Sequence, residues 1–255
     1  MSAYWIAFNT ILVKEIRRFL RIWQQTLLPP AITMTLYFII FGNLIGERIG
    51  EMAGLDYMSF IVPGLIMMSV INNAYSNVSS SFFSNKFQRS VEELLVAPVP
   101  NWVILWGFVF GGVARGIMTG LIVTLVAVFF TDIQVHNIWV LISTVLLSSI
   151  LFSLGGFINA LYANKFDDVS IIPTFVLTPL SYLGGVFFSI SLLPDFWKDV
   201  SAFNPILYMV NAFRYGMLGV SDVSLVSCYA ILVSIILILT AYSLWLLKRG
   251  KGIRH

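Results

Sequence analysis

The chain has 255 residues, of which 58% are hydrophobic and 11% are charged, with 15 Lys and Arg against 12 Asp and Glu. A soluble domain of this size usually carries about 25% charged residues, so a soluble enzyme is excluded, as is a disordered chain. The single cysteine, Cys228, also excludes a disulfide-stapled secreted domain. The composition indicates an integral membrane protein, and no second soluble domain fits within this length.

Six apolar stretches are long enough to predict transmembrane helices. They cover about residues 27–46, 58–81, 102–131, 139–163, 170–190 and 225–247. Pro63, Pro173 and Pro179 lie inside the second and fifth stretches and predict kinks whose freed carbonyl groups need partners from neighbouring helices. The predicted fold is an all-α polytopic membrane protein with six transmembrane helices, formed by one domain over residues 1–255.

The basic residues are distributed unequally between the two sides of these predicted helices. Eleven fall on the side of the N-terminus: Lys14, Arg17, Arg18, Arg21, Lys86, Arg89, Lys165, Lys248, Arg249, Lys251 and Arg254. Three fall on the other side: Arg48, Lys198 and Arg214. The positive-inside rule therefore predicts that both termini are cytoplasmic, and it accounts for the basic residues without a nucleic-acid partner. Residues 1–13 lack a basic segment, so no cleavable signal peptide is expected.

Residues 4–25 have the pattern of an amphipathic helix. At 100° per residue, one apolar stripe contains Trp5, Phe8, Leu12, Ile16, Phe19 and Trp23. The cations Lys14, Arg17, Arg18 and Arg21 fall nearly opposite this stripe. A Trp-bearing apolar face opposite a cationic face favours a helix in the membrane interface that contacts lipid headgroups. The alternative is an amphipathic helix packed on protein.

Residues 84–97 predict a short helix in the loop between the second and third stretches. Phe87, Val91, Leu94 and Leu95 share one face, while Lys86, Arg89 and Glu93 point away from it. Pro98 and Pro100 end the helix. The pattern fits either a solvated connector or a helix that docks into a groove on a cytoplasmic partner.

Residues 191–224 are too polar for a full span and too apolar for a simple loop. Their apolar run, 205–219, has only 15 residues and includes Asn211 and Arg214. Such a length predicts a re-entrant or interfacial segment, with Asn204-Pro205 at its turn. Non-helical backbone at membrane depth is expected to be buried in protein or to line a cavity.

Arg115 is the one basic residue that falls inside a predicted span. An arginine at this depth normally faces the protein interior or water, so it is either a structural charge near the inner interface or part of a translocation path. The neighbouring glycines 112, 116 and 120 form a small-xxx-small pattern. This pattern favours close helix packing, within the chain or between two copies.

Several kinds of catalytic chemistry have no signature in the sequence. There is no GxxxxGK[ST] phosphate-binding loop, no HExxH or HxxxH metal motif and no GxSxG nucleophile elbow. Neither a catalytic site, a cofactor site nor a metal site is predicted. A self-contained secondary carrier or channel remains an alternative, although it usually needs ionisable or broken-helix ion sites at depth. An intramembrane enzyme is a weaker one, based on Asp195, Asp199 and Arg214.

Two stretches carry a resemblance to a known family. One is Glu92-Glu93-Leu94-Leu95-Val96-Ala97-Pro98-Val99-Pro100. The other runs from Pro173 through Pro179-Leu180-Ser181-Tyr182-Leu183-Gly184-Gly185-Val186-Phe187-Phe188-Ser189, then Leu193-Pro194, Asn204-Pro205 and Arg214-Tyr215-Gly216. The chain resembles, over essentially its full length, the membrane subunits of ABC transporters of the type-2 permease family, which include bacterial inner-membrane permeases.

This resemblance implies a fold and a set of partners. It implies six spans, an N-terminal interfacial helix and extracytoplasmic re-entrant helices before the last span. It also implies a non-catalytic subunit of an exporter, in which two permease copies, expected as a homodimer, bind separate ATPase subunits that carry ATP and magnesium. The residues Phe87, Arg89, Val91, Glu92, Glu93, Leu94 and Leu95 would form the coupling helix that meets the ATPase.

Four aromatic residues of the predicted spans are candidates for lining the transport path. They are Tyr37, Tyr182, Phe187 and Phe188. Their aromatic rings suit apolar cargo, but aromatic residues in spans also serve as packing residues, and the sequence leaves both interpretations open.

Overall fold

The computed structural model describes residues 3–52, 54–91 and 98–250, with the side chains of residues 43 and 47 outside that description. The chain is mostly helical. It begins with α1 (Ala3–Arg21), α2 (Trp23–Thr26), α3 (Leu28–Tyr37) and a π-helical segment (Phe38–Ile45). Pro29 and Pro30 occupy the first turn of α3, where no intrahelical N–H is needed. Thr26 Oγ1 donates to the carbonyl of Phe19 at 2.8 Å, which ties α2 to the end of α1.

A small hairpin separates the first helices from the central one. It follows α4 (Gly46–Ile49) and consists of β1 (Glu51–Met52) and β2 (Leu55–Asp56), paired antiparallel. Asp56 then caps α5 (Tyr57–Phe87), because its carboxylate accepts hydrogen bonds from the backbone N–H of Met58 at 3.1 Å and of Ser59 at 3.4 Å.

The helix α5 is the central element of the fold. Its 31 residues make it about 46 Å long, and 89% of its most apolar window is buried within the protein. It packs against α6 (Asn101–Ala127), α7 (Ile138–Tyr162) and α11 (Pro205–Leu218). Because it is surrounded on most sides, a displacement of α5 reaches most of the other helices.

The small-xxx-small glycines of α6 form an intramolecular contact. A Cβ atom at Gly116 would lie 2.8 Å from Ser149 Oγ of α7, and one at Gly120 would lie 2.8 Å from Val70 Cγ2 of α5. At Gly112, an added Cβ would collide with Ser153 and Val78. The sequence left open whether these glycines pack within the chain or between two copies. In the structure, α5 and α7 of the same chain pack against them.

Two prolines interrupt the helical segment that follows α7. It consists of α8 (Phe166–Ile172), a π-helical turn (Pro173–Leu177) and α9 (Thr178–Leu183). Because Pro173 has no N–H, the carbonyl of Val169 loses its intrahelical donor. Asn159 of α7 supplies one, since its Nδ2 donates to Val169 O at 3.2 Å. The kink predicted from the sequence thus has the neighbouring-helix partner that it requires.

The last third of the chain folds as three helices after a turn at 184–188. A 3₁₀ turn (Ile190–Leu192) precedes α10 (Asp195–Ala202), which is followed by α11 and by α12 (Leu225–Arg249). The helix α11 has 14 residues, a length of about 21 Å, and most of its side chains are buried.

Five helices within the described ranges are long and apolar enough to cross a membrane. They are Trp23–Gly42, Tyr57–Phe87, Asn101–Ala127, Ile138–Tyr162 and Leu225–Arg249. They correspond to the first, second, third, fourth and sixth predicted spans. The predicted fifth span, 170–190, corresponds to α8 and α9, whose helical segment ends at Leu183 and includes two aspartates in its first turn.

The core is divided along α5 into two apolar clusters. One lies around the half of α5 that begins at Tyr57 and includes α11 and the first span. The other lies around the half that ends at Phe87 and includes α1, α6 and α7. We call these two ends of the molecule the hairpin side and the α1 side.

Candidate transport and coupling sites

A buried polar network holds α1 against α5 on the α1 side. Glu15 is fully buried, and its Oε1 accepts a hydrogen bond from Ser81 Oγ at 2.7 Å. Its Oε2 lies 3.3 Å from Arg18 Nη2. The same Nη2 donates to the backbone oxygen of Asn77 at 2.9 Å and to its Oδ1 at 2.8 Å. A buried carboxylate requires such partners, so the network fixes the position of α1.

The cations of α1 are therefore not equivalent. Arg17 and Arg21 are exposed, and Lys14 donates from Nζ to Asn85 Oδ1 at 2.8 Å. Arg18, which the sequence groups with the exposed cations, turns toward the protein. The reason is that Glu15, on the same side of the helix, is buried against α5 and needs a counter-charge.

The apolar stripe of α1 is partly buried against the protein and partly exposed. Of its members, Phe19 is buried, next to a buried face that also contains Ile11 and Glu15, while Trp5 is 54% exposed. Trp5 stacks on Phe8 with ring centroids 5.6 Å apart, and Phe8 meets Phe110 of α6 edge to face at 6.0 Å. One edge of the stripe thus packs on α6, and the other remains exposed.

Arg115 lies where the first span meets α5 and α6. It is about 9% exposed, and its Nη2 donates to Asn73 Oδ1 at 3.0 Å and to the backbone oxygen of Thr26 at 3.4 Å. It borders a groove of about 320 Å³ that extends along α3 as far as Tyr37. The arginine therefore faces an open polar space as well as the protein.

Three of the four aromatic residues singled out in the sequence lie together on the hairpin side. Phe187 has its ring centroid 5.8 Å from that of Tyr37 and 5.7 Å from that of Tyr182. Phe41 completes this aromatic cluster, at 4.9 Å from Phe187. Phe188, the next residue in the turn, is half-buried. The hydroxyl of Tyr57, at the start of α5, donates to the carbonyl of Phe187 at 3.2 Å.

Arg214 of α11 holds the turn that carries Phe187. This side chain is 1% exposed, and its Nη2 donates to the carbonyl of Gly185 at 2.6 Å. Its guanidinium lies over the ring of Phe60 at 3.9 Å, and its Nε reaches the Phe60 carbonyl at 3.4 Å. Gly185 has φ of +73°, a conformation that favours glycine. Arg214 thereby joins α11, α5 and the turn.

Close backbone contact also joins α5 to this turn. A Cβ atom added to Gly64 would lie 2.8 Å from both the Cα and the carbonyl oxygen of Val186. Only a glycine permits this approach, so the hairpin half of α5 and the turn at 184–188 pack backbone to backbone.

Asn204 and Pro205 form the start of α11. Pro205 occupies its first turn, and Asn204 Oδ1 accepts from the N–H of Ile206 at 3.0 Å. Asn204 Nδ2 donates to Leu180 O at 2.6 Å, which connects α11 with α9. In the middle of α11, Asn211 Oδ1 accepts from the N–H of Asp222 in the following loop at 2.8 Å. Polar side chains thus hold the start of α11 and attach the loop that follows it.

The α1-side end of α5 joins the helices around it. Lys86 donates from Nζ to the carbonyls of Leu161 at 2.8 Å and Ala163 at 2.7 Å, at the C-terminus of α7. Phe166, the first residue of α8, has its ring 4.9 Å from that of Phe83 and 5.0 Å from that of Phe87. The end of α5 is therefore attached to both α7 and α8.

The structure differs from the predicted helix over 84–97. Residues 84–87 continue α5, because the helical periodicity has no break before the chain turns at Gln88 and Arg89. Arg89 has φ of +60°. Phe87 is 63% exposed and Val91 is 1% exposed, so these two members of the predicted face differ in burial. The other two members of this face, Leu94 and Leu95, and the acids Glu92 and Glu93 lie outside the described residues.

Asp168 stabilises the start of α8. Its carboxylate accepts hydrogen bonds from the N–H of Asn164 at 2.8 Å and of Lys165 at 3.0 Å. These two backbone bonds hold the pKa of the Asp168 carboxyl below its ordinary value, with a further contribution from the nearby lysines. The loop that leads from α7 into α8 is therefore ordered by an ionised side chain.

Sequence reasoning missed several residues of these sites. Glu15 was not singled out, because an acid beside a cation on an amphipathic helix is usually a solvated pair. Asn73, Asn77 and Ser81 were missed because isolated polar residues on α5 have no motif. A signal was nevertheless present, since polar residues recur through an otherwise apolar span and each needs a partner there.

Five apolar helices of spanning length within the described ranges, packed around the buried α5, indicate a multi-pass membrane protein. Residues 6–218 match the profile of the family described as ABC-2 type transporter. The chain belongs to this family and is a membrane permease subunit of an ABC transporter.

Curated relatives agree with this assignment. The chain is 59% identical over 255 residues to the inner membrane transport permease YadH of Escherichia coli strain K12, a match that covers 100% of this chain and 99% of that protein. It is also 22% identical over 185 residues to nodulation protein J of Rhizobium leguminosarum bv. viciae, covering 72% of this chain and 71% of that protein. The first relative places the chain among multi-pass inner-membrane permeases.

Proposed function

We propose that residues 1–255 form a single permease domain that exports its substrate as a homodimer. Each copy would be driven by a separate cytoplasmic ABC ATPase that carries ATP and magnesium, and this chain would bind no cofactor and catalyse no reaction. Family membership supports an ATPase partner. The assignment to export rests on the wider family resemblance.

We propose a topology of six spans with both termini in the cytoplasm. The fifth span would consist of α8 and α9, with the turn at 184–188 and the helices α10 and α11 forming a re-entrant segment on the extracytoplasmic side. The 14-residue length of α11 supports this proposal, because about 21 Å is too short for a crossing. The unequal distribution of basic residues supports the orientation.

One structural relationship carries the proposed mechanism, namely that α5 runs between the two candidate sites. At its α1-side end, α5 leads into the segment that contains Glu92 and Glu93. At its hairpin end, Tyr57, Phe60 and Gly64 contact the turn at 184–188. A force applied by the ATPase beyond Phe87 would therefore move the turn that carries Phe187.

The coupling segment is proposed to consist of Phe87, Arg89, Val91, Glu92, Glu93, Leu94 and Leu95. Phe87 fits this role because its exposed ring also contacts Phe166, so a partner that binds it acts on both α5 and α8. The attachment of Lys86 to the end of α7 extends the same connection to a third helix.

The N-terminal helix is proposed to lie in the cytoplasmic membrane interface. Trp5 and Phe8 would insert among the lipids at the open edge of the apolar stripe, and Lys14, Arg17 and Arg21 would face lipid headgroups and the ATPase. Arg18 would instead serve the internal network with Glu15, which couples any movement of α1 to α5.

The transport path is proposed to pass the aromatic cluster of Tyr37, Phe41, Tyr182 and Phe187. Tyr182 is 42% exposed, and the ring of Tyr37 in the first span contacts that of Phe187 in the turn at 184–188. Phe188 and Arg115 would lie beside this path, with Arg115 in the groove that runs along α3 to Tyr37. Apolar rings at the hairpin side suit the apolar part of an amphipathic substrate.

Co-purification tests the proposal most directly. The full chain, expressed with its ATPase in Escherichia coli and extracted in mild detergent, should retain about one ATPase per permease. The double variant Glu92→Lys/Glu93→Lys should weaken ATPase binding or uncouple ATP hydrolysis from transport. The matched control is Glu51→Lys, a charge reversal at an exposed residue of the hairpin.

Two results would contradict this function. Transport by the purified chain in liposomes under an ion gradient, without ATPase or ATP, would establish the self-contained carrier instead. Unchanged ATP-driven transport in the Glu92→Lys/Glu93→Lys variant would exclude the coupling assignment, while leaving the permease assignment intact.

A further inference from the structure

The guanidinium of Arg115 carries a buried charge without a counter-ion in the described part of the chain. The ion pairs there are Arg18 with Glu15 and Lys198 with Asp195. The hydrogen bonds of Arg115 go to a neutral amide and a carbonyl, and Arg18 acts on it with a charge of the same sign. A buried charge normally has an ion of opposite sign or a metal nearby, so this site lacks an anion.

Two buried donors at this groove have no hydrogen-bond partner among the described residues. They are Nε of Arg115 and Oγ of Ser69, which is 2% exposed. Both residues line the groove. The nearby amide oxygen of Asn73 accepts from Nη2 of Arg115 instead, at 3.0 Å. The base of the groove therefore lies beside two donors that the described part of the chain leaves unsatisfied.

The groove combines this polar base with an apolar wall. Pro29 and Met34 of α3 face Met68 of α5 across the same space, and the hydroxyl-bearing Thr33 lies exposed at its opening. The depth of this polar base follows from Thr26, which lies at the start of the first span and whose carbonyl accepts a hydrogen bond from Arg115. The polar base therefore lies near the membrane boundary next to α1, and the wall continues along the span.

We propose that the groove at Arg115 binds the anionic head of an amphipathic molecule, a phosphate or carboxylate carried on an acyl chain. The guanidinium and Ser69 Oγ donate to the head, and the methionines and prolines contact the first methylene groups. The assignment to the cytoplasmic leaflet rests on the proposed function, whereas the anion site itself does not.

Binding of dodecyl phosphate to the full chain in a neutral detergent tests this site. Native mass spectrometry should show one molecule bound per chain, and dodecyl phosphocholine and inorganic phosphate should bind much more weakly. Arg115→Gln should weaken dodecyl phosphate binding about tenfold or more, since charge-assisted bonds are lost. Arg115→Lys should weaken it less. The control Arg48→Gln, at an exposed arginine on the hairpin side, should leave it unchanged.

Three outcomes would overturn the proposal. Equal binding by Arg115→Gln and the wild type would exclude the arginine as the anion ligand. Equal binding of dodecyl phosphocholine would show a site without charge selectivity. Equal binding of inorganic phosphate would show a site for free anions rather than amphipaths.

A second variant keeps the test valid if Arg115→Gln does not fold. Thr33→Trp fills the opening without removing any bond of Arg115, so it should lose dodecyl phosphate binding while keeping the wild-type unfolding midpoint. Unchanged binding in this variant would place the ligand elsewhere and overturn the proposal.

A third arm identifies the source of the ligand. An anionic amphipath that co-purifies and remains bound during ATP hydrolysis by the assembled transporter is a resident lipid, and one that is released is cargo. Both results support the site. Failure of the ATPase to bind would refute the proposed function without affecting the detergent measurement.

Discussion

The carboxylate of Glu15 accepts a 2.7 Å hydrogen bond from Ser81, which joins the N-terminal helix to the central helix of the bundle. The same carboxylate pairs with Arg18, whose guanidinium reaches Asn77 one turn from Ser81. Because α1 has few other polar contacts with α5 among the described residues, this network sets how firmly the two helices are connected.

Glu15→Ala should lower the free energy of unfolding by about 2 kcal/mol, because it leaves Ser81 without its acceptor and Arg18 without its counter-charge. Arg18 is partly exposed, which keeps the loss below that of a fully buried pair. Cys228 is the single cysteine and is buried, so a thiol-reactive dye reports the unfolding midpoint. Arg17→Ala, at an exposed cation of the same helix, is the control. A midpoint as high as that of wild type in Glu15→Ala would show that the network contributes nothing.

Gly111→Ala should separate α1 from α6. The added Cβ would lie 2.5 Å from the Cβ of Glu15, so α1 has to shift, at a cost of about 1–3 kcal/mol. Gly155→Ala is the matched control, because its nearest atoms, on the ring of Tyr75, lie at an ordinary 3.7 Å. Thermal unfolding of both variants checks the prediction, and an equal effect of the two would contradict the close contact.

The sequence predicted the helices better than the faces by which they pack. Long apolar stretches define spans through composition alone, and five of the six predicted stretches correspond to helices of spanning length. The six-span count stays a prediction, because α8 and α9 are shortened by Pro173, Pro179 and the turn at Gly184. The kink at Pro173 was predictable from its missing N–H, but Asn159 as its partner was not, since that contact depends on tertiary packing.

In the candidate site too, the sequence identified individual residues but not their contacts. Arg115 stands out in the sequence because a charge is unusual in a span, whereas Tyr37, Tyr182 and Phe187 were candidates because aromatic rings suit apolar cargo. That Tyr37 and Phe187 contact each other could not be predicted, because 150 residues separate them. The inward turn of Arg18 was missed for a related reason: periodicity locates a residue on a helix face, but the neighbouring helix determines which face is buried.

Asp168 should make the start of α8 sensitive to acid. The pKa of its carboxyl is lowered in the folded state relative to about 3.9 in an unfolded chain. Its stabilising contribution is therefore complete above about pH 5 and is lost as the pH falls through the folded-state pKa. At neutral pH, Asp168→Asn should speed hydrogen exchange at the amides of Asn164 and Lys165.

Comparison with wild type at equal pH isolates this effect. The difference between Asp168→Asn and wild type should be constant from pH 7 to pH 5 and should shrink below about pH 4. Asp167→Asn, at the adjacent acid, should leave these two amides unchanged. A difference that does not depend on pH would mean that the charge of Asp168 has no part in ordering the loop.

Arg214→Met should loosen the turn at 184–188 while the chain still folds. Methionine has a similar length and is apolar, and replacing a buried charge by an apolar group often costs little stability. The bond to the Gly185 carbonyl and the contact with Phe60 are lost, so hydrogen exchange at Val186, Phe187 and Phe188 should become about tenfold faster. Because Phe187 belongs to the aromatic cluster, transport should fall although ATPase binding is unchanged.

Arg214→Lys keeps the charge but not the reach of the guanidinium, so it should lower the unfolding midpoint more than Arg214→Met does. Lys198→Met, at a half-buried cation of α10 that pairs with the exposed Asp195, controls for the loss of a positive charge. Wild-type exchange at the turn in Arg214→Met would show that Gly64 and Tyr57 suffice to hold it.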